Sequence, residues 1–187
     1  ALLVALDRWV TEGVEPPPSR VPTLAAKTLV APTGVKFPAI PEMQAPGFAN
    51  RVEVLTDFFF NDSATTEIYT PLVSQVDGDG NEVAGIRLPA IAVPVATHTG
   101  WNFYKAPYPE GELCDREGSY VPFAQTKAER LANGDPRLSL EERYGNQEAY
   151  VQRVKEAVHE LQNAGLLLPE DAARFVDEAA RGQLFES

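Results

Sequence analysis

The chain has 187 residues with 16 Lys and Arg against 27 Asp and Glu, a net charge of −11. That balance repels phosphate backbones and anionic lipid, and no basic stripe offsets it, so nucleic-acid binding and membrane-surface binding are excluded as expectations. A hydrophobic share of 44% is enough for a core and argues against global disorder.

The single cysteine, Cys114, rules out an internal disulfide and any Cys-based zinc site, and it fixes no compartment. No apolar run approaches the roughly 20 residues of a membrane helix. Prolines crowd the first two thirds, so helices are expected to be scarce between Pro16 and Pro122. Beyond Pro122 the sequence turns to Ala, Glu, Arg and Leu, which favour helix. The predicted fold is α+β in three zones: residues 1–15, a short helix; 16–122, a Pro-rich irregular and β region; and 123–187, a helical tail that forms one unit with the middle.

In chain order, Leu2, Leu6 and Trp9 share a helical face flanked by Leu3 and Val10, and Gly13 is placed to stop the helix. This helix starts on apolar residues without a capping side chain, and it needs a partner for its stripe. The expectation is that something precedes it and that the chain is processed or truncated. Pro16-Pro17-Pro18 then extends the backbone. Lys27–Val30 and Val35–Phe37 are weak strand candidates. Leu72–Val76 and Val83–Leu88 flank Asp77-Gly78-Asp79-Gly80-Asn81-Glu82, which reads as a β-hairpin. Ile91–Val95 is a further strand candidate that Pro89 and Pro94 put at an edge or interrupt. Ser139-Leu140-Glu141-Glu142 forms a capping box. A helix over 146–164 puts Tyr150, Val151, Val154, Ala157, Val158 and Leu161 on one face. Gly165 ends it, and Pro169 starts a last helix striped by Ala172, Phe175, Val176 and Ala179, giving a helical hairpin.

The search for chemistry is mostly negative. No serine lies in a G-x-S-x-G elbow, and Ser119, after Gly118, reads as a plain loop serine rather than a nucleophile. His159 sits among charged residues on a helix flank and reads as a surface residue. His98 lies in the polar, aromatic stretch Ala96-Thr97-His98-Thr99-Gly100-Trp101-Asn102, where a packed loop histidine is favoured over a catalytic one. Asp77, Asp79 and Asn81 imitate the start of a calcium loop. Glu82 at position six and Leu88 at position twelve break that pattern, so a turn is the better account. No metal and no cofactor is expected: two separated histidines and the absence of phosphate or dinucleotide motifs support neither. Arg137 and Arg143 either pair with nearby carboxylates or bind an anion, and pairing is favoured.

Several stretches resemble a known family. Trp9-Val10-Thr11-Glu12-Gly13-Val14-Glu15-Pro16 is similar to the W-V-x-x-G-x-x-P pattern of tannase and feruloyl esterase relatives. Val76–Pro89, Ala96–Asn102, Pro122-Phe123-Ala124 and Gly134–Tyr144 resemble the C-terminal region of the bacterial alpha/beta hydrolase domain family. The resemblance implies that residues 1–15 are the last helix of a hydrolase core and that the nucleophile, acid and histidine lie upstream. The chain would then complete the core and cover the cleft of a serine hydrolase cleaving an ester-type bond. Its partners would be the N-terminal hydrolase portion and a small ester-type substrate. His98 stands where relatives are expected to carry an aromatic such as Tyr, which speaks against a catalytic role.

No catalytic residue is assigned in the chain. Polarity, aromaticity and loop position nominate Arg87, Thr97, His98, Trp101 and Asn102 as substrate contacts. Two other readings stand beside this one. In the first, the chain is a non-catalytic binding or assembly module using Trp101, Phe103, Tyr104 and Tyr108. The second and least favoured is an independent enzyme built around Ser119 or His98.

Overall fold

A computed structural model of the chain describes residues 1–50, 71–114 and 116–185. The architecture is α+β, with helices at both ends and short paired strands between. In order, the elements are α1 (Leu2–Glu12), β1 (Leu29–Val30), β2 (Val73–Ser74), α2 (Pro89–Ala92), β3 (Ala96–His98), β4 (Asn102–Phe103), β5 (Leu113–Cys114), β6 (Tyr120–Pro122), α3 (Lys127–Asn133), α4 (Leu140–Tyr144), α5 (Gln147–Asn163) and α6 (Pro169–Arg181). The strands pair antiparallel as β1 with β2, β3 with β6 and β4 with β5.

The core belongs to the tail. Val154, Val158 and Leu161 follow one another at helical spacing on α5 and are buried against Ala172 and Ala179 of α6, Leu166 and Leu167 of the connection, and Val93. The turn between the helices needs Gly165 at φ +70°, a left-handed conformation that a side chain resists. Pro169 opens α6 at a position where its missing N–H costs nothing, and Glu170 and Asp171 meet the positive end of the helix. At its far end, Gln147 Nε2 donates to the Ala179 carbonyl at 2.5 Å and ties the start of α5 to the end of α6.

α1 forms as its pattern predicts and stops at Gly13, φ +72°. It buries none of its residues; Leu3 is 82% exposed and Leu2, Leu6, Trp9 and Val10 are exposed as well.

The middle departs from expectation. Val76 and Glu82 form an isolated antiparallel bridge, and the Asp77 amide donates to the Asn81 carbonyl at 2.8 Å, so the turn is present. Its arms do not continue as a hairpin. Val73–Ser74 pairs instead with Leu29–Val30, and the chain beyond Val83 bends through Gly85 at φ +92° and forms no strand up to Leu88. Ile91–Val95 is not a strand either. Pro89 serves as the first residue of α2, and the helix ends before Pro94, which disfavours helical geometry in the residue preceding it. The candidate strand Lys27–Val30 shrinks to Leu29–Val30. Val35–Phe37 forms no strand among the described residues, its Lys36 amide donating instead to Gln75 Oε1 at 2.8 Å, after a 3-10 turn over Pro32–Gly34.

The capping box is complete. The Glu142 amide donates to Ser139 Oγ at 3.2 Å, and the Ser139 amide donates to Glu142 Oε2 at 3.1 Å. Arg130 adds a two-pronged contact, Nε to Oε2 at 2.7 Å and Nη2 to Oε1 at 3.1 Å. The Arg130 hydrogen bonds, followed by those from Ser139, hold the Glu142 carboxyl at about 2, against 4.5 ordinarily. A depressed folded-state value gives stability that is fully present above the unfolded value and is lost as pH falls through the folded one. Acid unfolding followed by circular dichroism should therefore show wild-type stability declining between about pH 4.5 and 2, with a shallower decline in Glu142→Gln. Equal slopes in that window would remove Glu142 as a contributor.

Candidate functional site

The turn at 77–82 is the anchor on which the nominated loop is built. Asp77 Oδ1 accepts from the amides of Asp79 and Asn81, both at 3.0 Å, which closes the turn as Asx residues do. Gly80 at φ +81° is obligatory, since a Cβ there would also sit 2.9 Å from Thr97 Cγ2. Asn81, fully buried, takes the place of a neighbouring strand. Its Nδ2 donates to the Ala96 carbonyl at 3.1 Å, and its Oδ1 accepts from the His98 amide at 2.8 Å. β3 is thereby held by a side chain on one edge and by β6 on the other.

Behind β3 lies a buried ionic network. Arg137, only 3% exposed, clasps Asp135 with Nε at 3.0 Å and Nη2 at 2.6 Å. It also donates to Thr97 Oγ1 at 2.8 Å, the Val121 carbonyl at 3.0 Å and the Pro122 carbonyl at 3.3 Å. Burial would raise the Asp135 carboxyl, but the hydrogen bonds and charge of Arg137 outweigh it and hold it below the usual aspartate value. Arg143 reaches across to grip both carboxylate oxygens of Asp79, and its guanidinium lies 4.2 Å from the Phe123 ring centroid. Both arginines are thus occupied by carboxylates, the pairing that the sequence favoured over an anion.

In front of β3 is a cavity of about 500 Å³, walled among others by Phe37, Val76, Glu82, His98, Trp101 and Cys114. Trp101 packs on Phe37 and Phe103, with ring centroids at 5.5 and 5.8 Å. Cys114 is partly exposed there. A backbone hydrogen bond from Arg116, then one from the Tyr104 side chain, holds its thiol below the usual value. The lining is mainly apolar, with a carboxylate and an imidazole at separate points, the composition of a small-molecule site.

The five nominated contacts divide. His98 and Trp101 line the front cavity together. Thr97 is fully buried, its hydroxyl donating to the Asp79 carbonyl and accepting from Arg137, so it holds the loop from behind. Arg87 is turned to Asp77 at 2.7 Å and to the Ile91 carbonyl at 2.9 Å. Asn102 is exposed, and its side chain caps the Phe103 amide at 2.8 Å. Neither Arg87 nor Asn102 lines the cavity. Phe37, Val76, Glu82 and Cys114 escaped sequence reasoning, because nothing local ties Phe37 to a tryptophan 64 positions later.

Ser139 is buried in its cap, and the Ser119 amide and carbonyl are both bonded to Thr99. Ser63 and Ser187 lie outside the described residues. His98 meets the Tyr120 ring edge-on at 5.2 Å, and exposed His159 contacts Asn163 at 3.1 Å. Among the described residues no three His, Cys, Asp or Glu side chains converge as a metal site, and no helix is long and apolar enough to cross a membrane.

No curated protein and no solved structure matches the chain. The family model described as alpha/beta hydrolase domain matches residues 1–177, nearly the whole length, and the chain belongs to that family.

Proposed function

We propose that the chain is the C-terminal, cleft-covering portion of a serine hydrolase that cleaves an ester-type bond, with the catalytic triad outside residues 1–187. Membership of the hydrolase family supplies the reaction class. The observation that carries the finer reading is the state of the two imidazoles. Among the described residues, neither His98 nor His159 is hydrogen-bonded to a serine hydroxyl or paired with a carboxylate, so these residues hold no assembled nucleophile and base. The exposed stripe of α1 supports the same reading, because a helix that buries no residue of its own gains stability by docking on a hydrolase core. His98 and Trp101 then face substrate across the front cavity, and Thr97, Asn81 and Arg137 fix the loop that carries them.

The test is active-site labelling. The native polypeptide, isolated from its source, is treated with a serine-reactive phosphonate, and the modified peptide is mapped. The expected result is a labelled serine outside this sequence, together with ester hydrolysis that the reagent abolishes. A label on Ser119, or on any serine of this chain, would overturn the proposal. A protein that takes no label and hydrolyses no ester would leave a non-catalytic binding module in its place.

A further inference from the structure

His98 also borders a second, smaller cavity, against the helical hairpin. It measures about 250 Å³, and its walls include His98, Tyr120, Tyr150, Val154, Phe175 and Glu178. This is below the roughly 300–1,000 Å³ of drug-sized sites, so its occupant has only a few heavy atoms. Val154 and Phe175 provide an apolar floor, as part of the α5–α6 core.

Of the polar groups around that floor, the aromatic ones have no hydrogen-bond partner among the described residues, and Glu178 has only a long ion pair with Arg174 at 3.9 Å. Among the described residues, the hydroxyls of Tyr120 and Tyr150 have no hydrogen-bond partner, and the His98 ring makes only its edge contact with Tyr120. Burial, with the nearby Tyr120 adding to it, pushes the Tyr150 phenol above its usual value, so its oxygen is a neutral donor and acceptor. Glu178 is the one carboxylate in the lining, and no Lys or Arg joins it. The nearest guanidinium, that of Arg174, stops 3.9 Å from Glu178 Oε1 and is mostly exposed. It also lies over the Phe175 ring, 5.9 Å from the centroid, so this ring already meets a cation.

The geometry points to a binding site for a small primary ammonium ion with a short alkyl body. The alkyl part covers Val154 and Phe175, and the three N–H donors reach Glu178, the tyrosine oxygens and the free imidazole nitrogen. Charge decides between ligands of this size. An anion meets Glu178 in a chain of net charge −11, and a neutral alcohol makes the hydrogen bonds without the charge attraction.

The test follows the ring resonances of His98 and Tyr150 by NMR while the full chain is titrated with n-butylammonium, n-butanol or butyrate. Saturable shifts are expected with the ammonium, about tenfold weaker binding for the alcohol, and none for butyrate. Glu178→Gln, a change on a side chain that is 63% exposed, should weaken the ammonium by about tenfold and leave the fold intact. The proposal is overturned if the ammonium and the alcohol bind alike, if Glu178→Gln binds as the wild type does, or if no resonance saturates. The experiment does not involve ester hydrolysis, so its outcome is independent of the labelling result.

Discussion

Arg137→Met is expected to destabilise the fold by about 3–5 kcal/mol, the cost of removing one partner from a buried ion pair. The substitution keeps the bulk and removes the charge. Asp135, which is 8% exposed, would then hold an uncompensated carboxylate, and Thr97 and the carbonyls of Val121 and Pro122 would each lose a donor. Urea denaturation should show the loss as a lower midpoint with an unchanged slope. A second variant isolates the cause. Asp135→Asn combined with Arg137→Met removes the orphaned charge, so the double variant should be more stable than Arg137→Met alone. Arg137→Lys should not restore the wild type, because one ammonium cannot span the donors of the planar fork. If the single and double variants are equally destabilised, the penalty comes from packing rather than from charge.

Leu161→Ala should cost about 2–5 kcal/mol. Leu161 is buried on α5 where α6 and the Leu166-Leu167 connection close over it. Truncation leaves a void in a helical pair whose positions are fixed at both ends, by the Gln147–Ala179 hydrogen bond and by the Gly165 turn, so the site collapses only partly. Leu131→Ala is the control. That side chain is 61% exposed on α3, and its loss should stay within about 0.5 kcal/mol. Thermal or chemical denaturation of the two variants side by side distinguishes a core that depends on this leucine from one that does not.

How much of this was legible in the sequence follows the distance over which each feature is encoded. The α5–α6 hairpin and the capping box were readable, because periodicity, Ser139 with Glu142, Gly165 and Pro169 all act within a few residues of themselves. The pairing of β2 was not readable. Leu72–Val76 has the composition of a hairpin arm, but β1 takes Val73 and Ser74, and no signal in either segment names the other. Pro89 was read as a strand interruption when its fixed φ made it the start of a short helix. At the site, the stretch 96–102 was read as a polar, aromatic loop, whereas Ala96–His98 is β3 and Asn102 opens β4, and composition does not reveal which side chains are already bonded. Thr97 and Arg87 look available in sequence and are engaged by Arg137 and Asp77 in space. The second cavity was invisible because His98, Tyr150 and Glu178 come from a strand and two helices.

The grip of Arg143 on Asp79 joins residues 64 apart in sequence, while the Gln147–Ala179 contact that ties the hairpin spans 32. Closing a loop of twice the length costs only about 0.6 kcal/mol more in chain entropy. Joining the Pro-rich middle to the tail is therefore little more demanding than closing the hairpin itself, provided the ionic anchors are kept. The stretch between β4 and β5, exposed over most of its length, is then free to lengthen or shorten at small thermodynamic cost. Divergence within this architecture is expected to collect there, and not at Asp79, Asn81, Thr97 and Arg137.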